Sequence, residues 1–195
     1  MSRKFDSLAE KIRSIGEVYC ENQMYVWPGF DPKDPNPRRF FKKLGIEFDG
    51  DLFIRYPVKK TFSPIPGDQL DQQERSSGLK IPDDYRQLLQ QFGPVHLPGK
   101  ANIAINSLQE AIKTTRLFWC YEGTALSALA ISSFNQTSDG NSIGFIRIGD
   151  SLQSEVYEFD HELVYQGKDP RLWTRKVGDS LADFLLKYLN EQSLR

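Results

Sequence analysis

The chain is poor in the residues that usually announce chemistry. It has two cysteines, two histidines and two methionines among 195 residues. Cys20 and Cys120 lie far apart with no CxxC spacing, which excludes a disulfide framework and makes a zinc site a poor candidate. So few thiols fit a reducing compartment. Long hydrophobic runs are missing too: the longest mostly apolar stretch, Ala125–Ile131, is far shorter than the ~20 residues a membrane span needs. Near the N-terminus Asp6 and Glu10 break any apolar run of the signal-peptide kind. Neither sign of charge dominates, with 25 Lys+Arg against 26 Asp+Glu. No global field therefore draws nucleic acid or a membrane surface. The GxSxG, P-loop and GxGxxG patterns are absent, and with them the chemistries they mark. A cytoplasmic protein is expected, with no cofactor, no metal, no nucleic-acid partner and no membrane.

The charge that is present lies unevenly. Residues 1–60 carry 12 Lys+Arg against 9 Asp+Glu, net +3, and residues 61–195 carry 13 against 17, net −4. Between Tyr121 and Glu162, Arg147 alone stands against Glu122, Asp139, Asp150, Glu155, Glu158, Asp160 and Glu162. Such a run is usually a solvated face. The functional alternative is a docking surface for a basic partner. On that alternative Glu122, Asp139, Asp150, Glu155 and Glu158 are the candidate partner-binding residues. Glu155 and Glu158 are an odd number of positions apart on an expected strand, so they cannot both face one side.

Periodicity predicts a helix over Phe5–Tyr19, with Leu8, Ile12, Ile15 and Tyr19 on one face. Four prolines between Trp27 and Pro37 mark a loop. Arg38–Leu44 reads as a short helix, and Asp51–Pro57 as a strand that ends at its proline. These make an N-terminal extension, residues 1–62, ahead of a domain over 63–195. In the domain, Asp68–Ser77 is helix-permissive and Gly78 stops it. Pro82–Phe92 is an amphipathic helix: Pro82 suits a first turn, and Asp83 and Asp84 suit the positive end of the helix dipole. Its apolar stripe is Tyr85, Leu88, Leu89 and Phe92, and Gly93-Pro94 ends it. Pro94–Pro98 reads as a loop and Ala101–Ile105 as a short strand.

Ser107-Leu-Gln-Glu110 and Ser180-Leu-Ala-Asp183 are capping boxes that open helices. Leu108, Ala111 and Ile112 face inward in the first, and Leu181, Phe184, Leu185 and Leu189 in the second. Between the boxes, Ala128–Phe134, Ile143–Ile148 and Glu155–Asp160 have strand character. Thr137–Ser142 is turn chemistry, and Gly149–Ser154 makes a hairpin. Helix, helix, strand, helix, antiparallel strands, helix is an α+β order rather than alternating βαβ.

Three of these segments, in this order, resemble the SUKH superfamily, named for yeast cell-wall-synthesis regulators and their bacterial relatives. Gly78-Leu-Lys-Ile-Pro-Asp-Asp-Tyr-Arg-Gln-Leu-Leu89 looks like its entry segment. Asp139-Gly-Asn141 followed by Glu155-Val-Tyr-Glu-Phe-Asp-His-Glu162 resembles its central strands. Ser180-Leu-Ala-Asp-Phe-Leu-Leu-Lys-Tyr-Leu189 resembles its closing helix, with Leu181 where a phenylalanine is usual. The resemblance covers roughly residues 65–190. It implies a twisted antiparallel sheet packed by helices, and no catalytic residue. It implies a protein partner as well: many bacterial members are immunity proteins that neutralise a toxin, often a nuclease, and fungal members are regulatory interaction proteins.

Asp160-His161-Glu162 is the most site-like cluster, since a histidine between carboxylates has the makings of a metal ligand or a general base. Neighbours on a strand point to opposite faces, however, and a structural, locally bonded His161 is the favoured reading. Arg38-Arg-Phe-Phe-Lys-Lys43 interleaves cations and aromatics, and is read as an amphipathic turn before a phosphate contact. Tyr25, Trp27, Phe30, Trp119, Tyr121 and Trp173 lie in or near expected loops, where exposed aromatics would be anchoring material at an interface. The expectation is a non-catalytic binding protein that occludes a basic toxin through an acidic surface. The alternatives are a regulatory scaffold that uses its N-terminal extension and, with less support, an enzyme built on Asp160, His161 or His96.

Overall fold

The computed structural model describes residues 3–15, 18–24, 47–48, 53–59, 62–97, 103–119, 126–132, 141–149, 151–164, 167 and 169–193. They form an α+β protein of two compact units, Ile15–Thr61 and Met1–Ser14 with Phe62–Arg195. The expected loop at Trp27–Pro37 and short helix at Arg38–Leu44 fall outside the described residues.

The smaller unit is an antiparallel sheet of β1 (Val18–Met24), β2 (Glu47–Phe48) and β3 (Phe53–Lys59), in the order β1-β3-β2. Two expectations are corrected here. The first helix stops at Ile15 instead of Tyr19, and a strand begins at Val18. Glycine, the residue type at position 16, is a poor helix former, and Val18 and Tyr19 favour extended backbone. Pro57 does not end β3 but stands inside it, opposite Cys20. β2 pairs only with Ile54 and Arg55. Among the described residues Pro57 therefore has a neighbour strand on one side, a position that tolerates a missing N–H.

In the larger unit, α1 (Arg3–Ile15) is not part of an extension ending at residue 62: up to Ser14 it belongs with the main body. Its apolar stripe is the reason, since Phe5, Leu8 and Ile12 are fully buried. Around that stripe Lys4 donates to Asp183 at 2.6 Å, Lys11 to Asn190 at 2.5 Å and Arg13 to Gln91 at 2.9 Å.

Helices α2 (Gly67–Ser77) and α3 (Asp83–Gln91) are braced through the loop between them. Gly78 adopts φ 66° and closes α2, while Leu79 and Ile81 are buried. Glu74 accepts the Ile81 N–H at 2.8 Å and, with Asp71, holds the Arg86 guanidinium. Tyr85 is buried and donates to the Asn106 carbonyl at 2.8 Å. Asp84 reaches further than its own helix: it accepts from Ala182 N at 3.2 Å, at the start of α5 (Leu181–Ser193). Ser180 caps the same helix end by accepting from Asp183 N, also at 3.2 Å. Leu181, Leu185 and Leu189 of α5 are buried, and Phe184 is half-buried.

The segment Val95–Leu97, expected as loop, is strand β4, antiparallel to β5 (Ile103–Ile105). Val95 and Leu97 are buried, a period-two pattern too short to weigh in the sequence alone. Helix α4 (Leu108–Phe118) starts where Ser107 accepts from Glu110 N at 3.3 Å.

The main sheet is antiparallel, ordered β10-β9-β7-β6 with β8 paired to β7. Its strands are β6 (Ala128–Ala130), β7 (Ser142–Ile148), β8 (Ser151–Leu152), β9 (Val156–Phe159) and β10 (Thr174–Gly178). β10 has no counterpart in the sequence reading, because Thr-Arg-Lys-Val-Gly carries too little apolar pattern to announce a strand. On one face of the sheet, Tyr85 meets Phe145 at 5.8 Å. On the other, Trp119 stacks on Trp173 at 6.0 Å, and Phe159 lies edge-on to both. These two tryptophans, read as loop aromatics, are core residues 1% and 2% exposed.

Gly144, on β7, lets the backbones close up. A Cβ there would come within 2.1 Å of the Leu129 carbonyl oxygen and 2.8 Å of the Phe159 ring. Gly149 has φ 62° but open space around it. Gly144→Ala should therefore cost at least ~3 kcal/mol, at the upper end of overpacking, and Gly149→Ala ~1–2 kcal/mol of backbone strain. Urea unfolding at constant m-value measures both.

Burial pushes the Tyr85 phenol far above its ordinary value of 10.0 and Tyr188 up to about 12. Above pH 10 the unfolded chain releases these protons and the folded chain keeps them, so stability falls as pH rises. Tyr85→Phe should lower stability at pH 7 by ~1 kcal/mol, because the Asn106 carbonyl loses its donor. It should also make the alkaline loss shallower in a urea series from about pH 9 to 11.

Candidate functional site

Of the residues singled out for partner binding, Glu155 and Glu158 are described, the first just before β9 and the second on it. Glu122, Asp139 and Asp150 lie outside the described residues. Glu158 stands opposite Arg175 in the β9–β10 register and pairs with its guanidinium. It also accepts from Asn141 Nδ2 at 3.1 Å. Glu155 lies 3.7 Å from Lys176 Nζ. The two acids thus have cations of β10 beside them. The sequence count of acids between Tyr121 and Glu162 stopped short of these cations, which folding brings alongside.

The Asp160-His161-Glu162 cluster is occupied with shaping the chain. Asp160 Oδ1 accepts from Glu162 N at 2.8 Å and Leu163 N at 3.1 Å, which turns the backbone at the end of β9. Asn141 Oδ1 takes the His161 backbone N–H at 3.2 Å and contacts His161 Nδ1 at 2.9 Å. Glu162 is exposed and turned to solvent. The three side chains do not converge on a common point. Among the described residues no group of three or more His, Cys, Asp or Glu is placed to hold a metal ion. His96 lies on β4, and Cys120 is outside the described residues.

The turn that follows carries its own ion pair. Asp169 accepts the Arg171 N–H at 3.0 Å and binds its guanidinium with both oxygens. The side-chain bond to Arg171 holds the Asp169 carboxyl below its ordinary range. A short 3₁₀ turn, Pro170–Leu172, then delivers Trp173 into the core, with its indole N–H on the Gly167 carbonyl at 3.1 Å. Leu172 is left 56% exposed.

Together these elements enclose a recess of about 370 Å³. Its polar wall is Asn141, Glu158, Asp160, Thr174 and Arg175, and its apolar wall is Leu163, Leu172 and Trp173. Carboxylates beside apolar side chains suit the head and stem of a long basic side chain. Sequence reasoning found Glu158 and Asp160 but not Asn141, Arg175 or Leu172, whose roles depend on strand pairing. The one available signal was the cluster of cations Arg171, Arg175 and Lys176 downstream of the acidic stretch.

No protein-family model matches the chain, and no curated protein matches it. Among the described residues no helix is long and apolar enough to cross a membrane.

Asn141 is the clamp of this region, since it joins β9 to the turn at His161. Asn141→Ala should lower stability by ~1–2 kcal/mol through the polar groups it leaves unpaired. The His161 amide should exchange with solvent faster than in the parent, as read by hydrogen-exchange NMR.

Proposed function

We propose that this chain is a non-catalytic, cytoplasmic protein-binding protein of the immunity type, which neutralises a basic toxin, such as a nuclease, by occluding it. The observation that carries the reading is the recess at the β9–β10 end of the sheet. It offers recognition chemistry: an amide, two carboxylates and an exposed leucine at the rim. A lysine or arginine of the partner lays its stem on Leu163 and Leu172 and its charged head near Glu158 and Asp160. The resemblance of the Gly78–Leu89, Glu155–Glu162 and Ser180–Leu189 segments to the SUKH superfamily supports the same class. Of the acidic candidates among the described residues, Glu158 lines the recess and Glu155 acts through its contact with Lys176.

A second reading, a regulatory scaffold, draws on the compact smaller unit with its own three-stranded sheet. In that reading the unit over Ile15–Thr61 supplies the partner contact.

Affinity capture of the tagged full chain from its native cells, read by mass spectrometry, separates the two. One dominant basic, toxin-like polypeptide supports neutralisation; a set of envelope or signalling proteins supports the scaffold. With the toxin in hand, reversing Asp139, Asp150 and Glu158 together to lysine should weaken binding at least tenfold, about 1.4 kcal/mol or more. Unchanged affinity in a folded triple variant removes the acidic-surface reading. An activity lost in a folded His161→Ala variant would return the enzyme reading.

A further inference from the structure

The two edges of the main sheet are finished differently. At the β6 edge, the outward Ala130 N–H is taken by the Thr115 hydroxyl of α4 at 2.8 Å. Beyond it, Ser132 bridges to Ile105, and Asn106 N donates to the Ile131 carbonyl at 2.7 Å. That edge is closed by the protein itself.

Among the described residues the β10 edge is open. Asp160 N donates to the Trp173 carbonyl at 2.9 Å, which sets the phase of the β9–β10 ladder. Arg175 then exchanges its backbone bonds with Glu158, and the backbone N–H and C=O of Thr174 and Lys176 point away from β9. Among the described residues β10 pairs with β9 alone, and these outward groups have no backbone partner. An unpaired strand edge is a template for another strand.

Beside this edge runs a groove of about 380 Å³ between β10 and α5. Its apolar floor is Val177, Phe184 and Tyr188, and its cations are Arg175, Lys176 and Lys187. Lys176 is balanced by Asp179 at 2.8 Å and Arg175 by Glu158. Lys187 has no carboxylate within ion-pair distance among the described residues. The register shift between Lys176 and Gly178 bends the end of β10. That shift, with lysine on the edge, discourages indiscriminate pairing and leaves a short stretch for a specific one.

We infer that the β10 edge is a docking site for an extended, acidic segment of a partner protein, which adds to the sheet as a further strand. Backbone bonds to Thr174 and Lys176 hold it. Alternate side chains enter the groove, an apolar one over Val177 and Phe184 and an acidic one against Lys187. This rests on the protein-binding reading but not on the partner being a toxin.

The test pans a phage library of random decapeptides against the full chain. Enriched sequences are then synthesised with N-methyl groups on one or the other alternate set of backbone amides. The expected peptides carry Asp or Glu two positions from an apolar residue. Methylating one set should weaken binding at least about tenfold, the worth of a backbone hydrogen bond, and methylating the other set should change it little. Lys176→Pro should weaken binding similarly while the β9 ladder stands, because the Lys176 N–H does not face β9. Lys187→Glu should cost about fivefold or more, through like-charge contact with the acidic residue.

No enrichment, enrichment of basic peptides, or indifference to N-methylation overturns the inference. So does a dimer of the full chain that Lys176→Pro dissolves, since the edge then belongs to a second copy. Should Lys176→Pro fail to fold, the methylated peptides on the parent chain decide. A captured cognate partner whose affinity ignores Lys176→Pro refutes this site and leaves the protein-binding reading standing.

Discussion

Strand β7 meets water on neither face from Ser142 to Ile146, and the rest of the larger unit is arranged to keep it so. A strand buried on both faces needs cover from two layers. Tyr85 of α3 covers Phe145 on one face. On the other, Trp119, Phe159 and Trp173 pack against Ala128 and Ala130. Gly144 permits the close approach this demands, because its missing side chain leaves room for the Leu129 carbonyl and the Phe159 ring. Such a core tolerates little added volume, since interiors are packed at near-crystal density.

The same constraint explains where the polar chemistry went. With both faces of β7 claimed by apolar packing, charged groups are left to the β9–β10 end of the sheet. There Glu158 and Arg175 pair across strands, Asn141 bridges β9 to the His161 turn, and Asp160 shapes that turn. A region that reads in sequence as an acidic run becomes a mixed surface, with an ionic recess and a cationic groove that share Arg175 of β10. Charge complementarity at such a surface favours selection of a partner and its orientation more than raw affinity. Among the described residues the β6 edge is covered by α4 and the Ile105–Asn106 segment, and β10 pairs with β9 alone.

Much of the fold was legible because its signals are local. Gly78 as a helix stop, Pro82–Phe92 as an amphipathic helix, and Ser107 and Ser180 as caps all rest on contacts a few residues apart. The strands Ser142–Ile148 and Val156–Phe159 announced themselves by β-branched and aromatic density. The errors arise where a short or polar segment depends on a distant neighbour. β10 has the composition of a loop and becomes a strand only because Glu158 and Tyr157 lie opposite Arg175 and Lys176. Val95–Leu97 is a strand only beside Ile103–Ile105. α1 seemed to belong to an extension because nothing in residues 1–62 says that its buried stripe serves a core built by residues after 62.

The sequence by itself determined the α+β class, the helix limits set by glycine, proline and serine, and the scarcity of thiol and imidazole groups. These depend on backbone preference and composition, which each residue carries wherever it is placed. Only the tertiary structure decided that Trp119 and Trp173 are core and not interface, that Asp84 caps a helix far along the chain, and that the acids of β9 face the cations of β10. Those outcomes depend on which surfaces meet when apolar area is withdrawn from water, and that is a property of the whole chain.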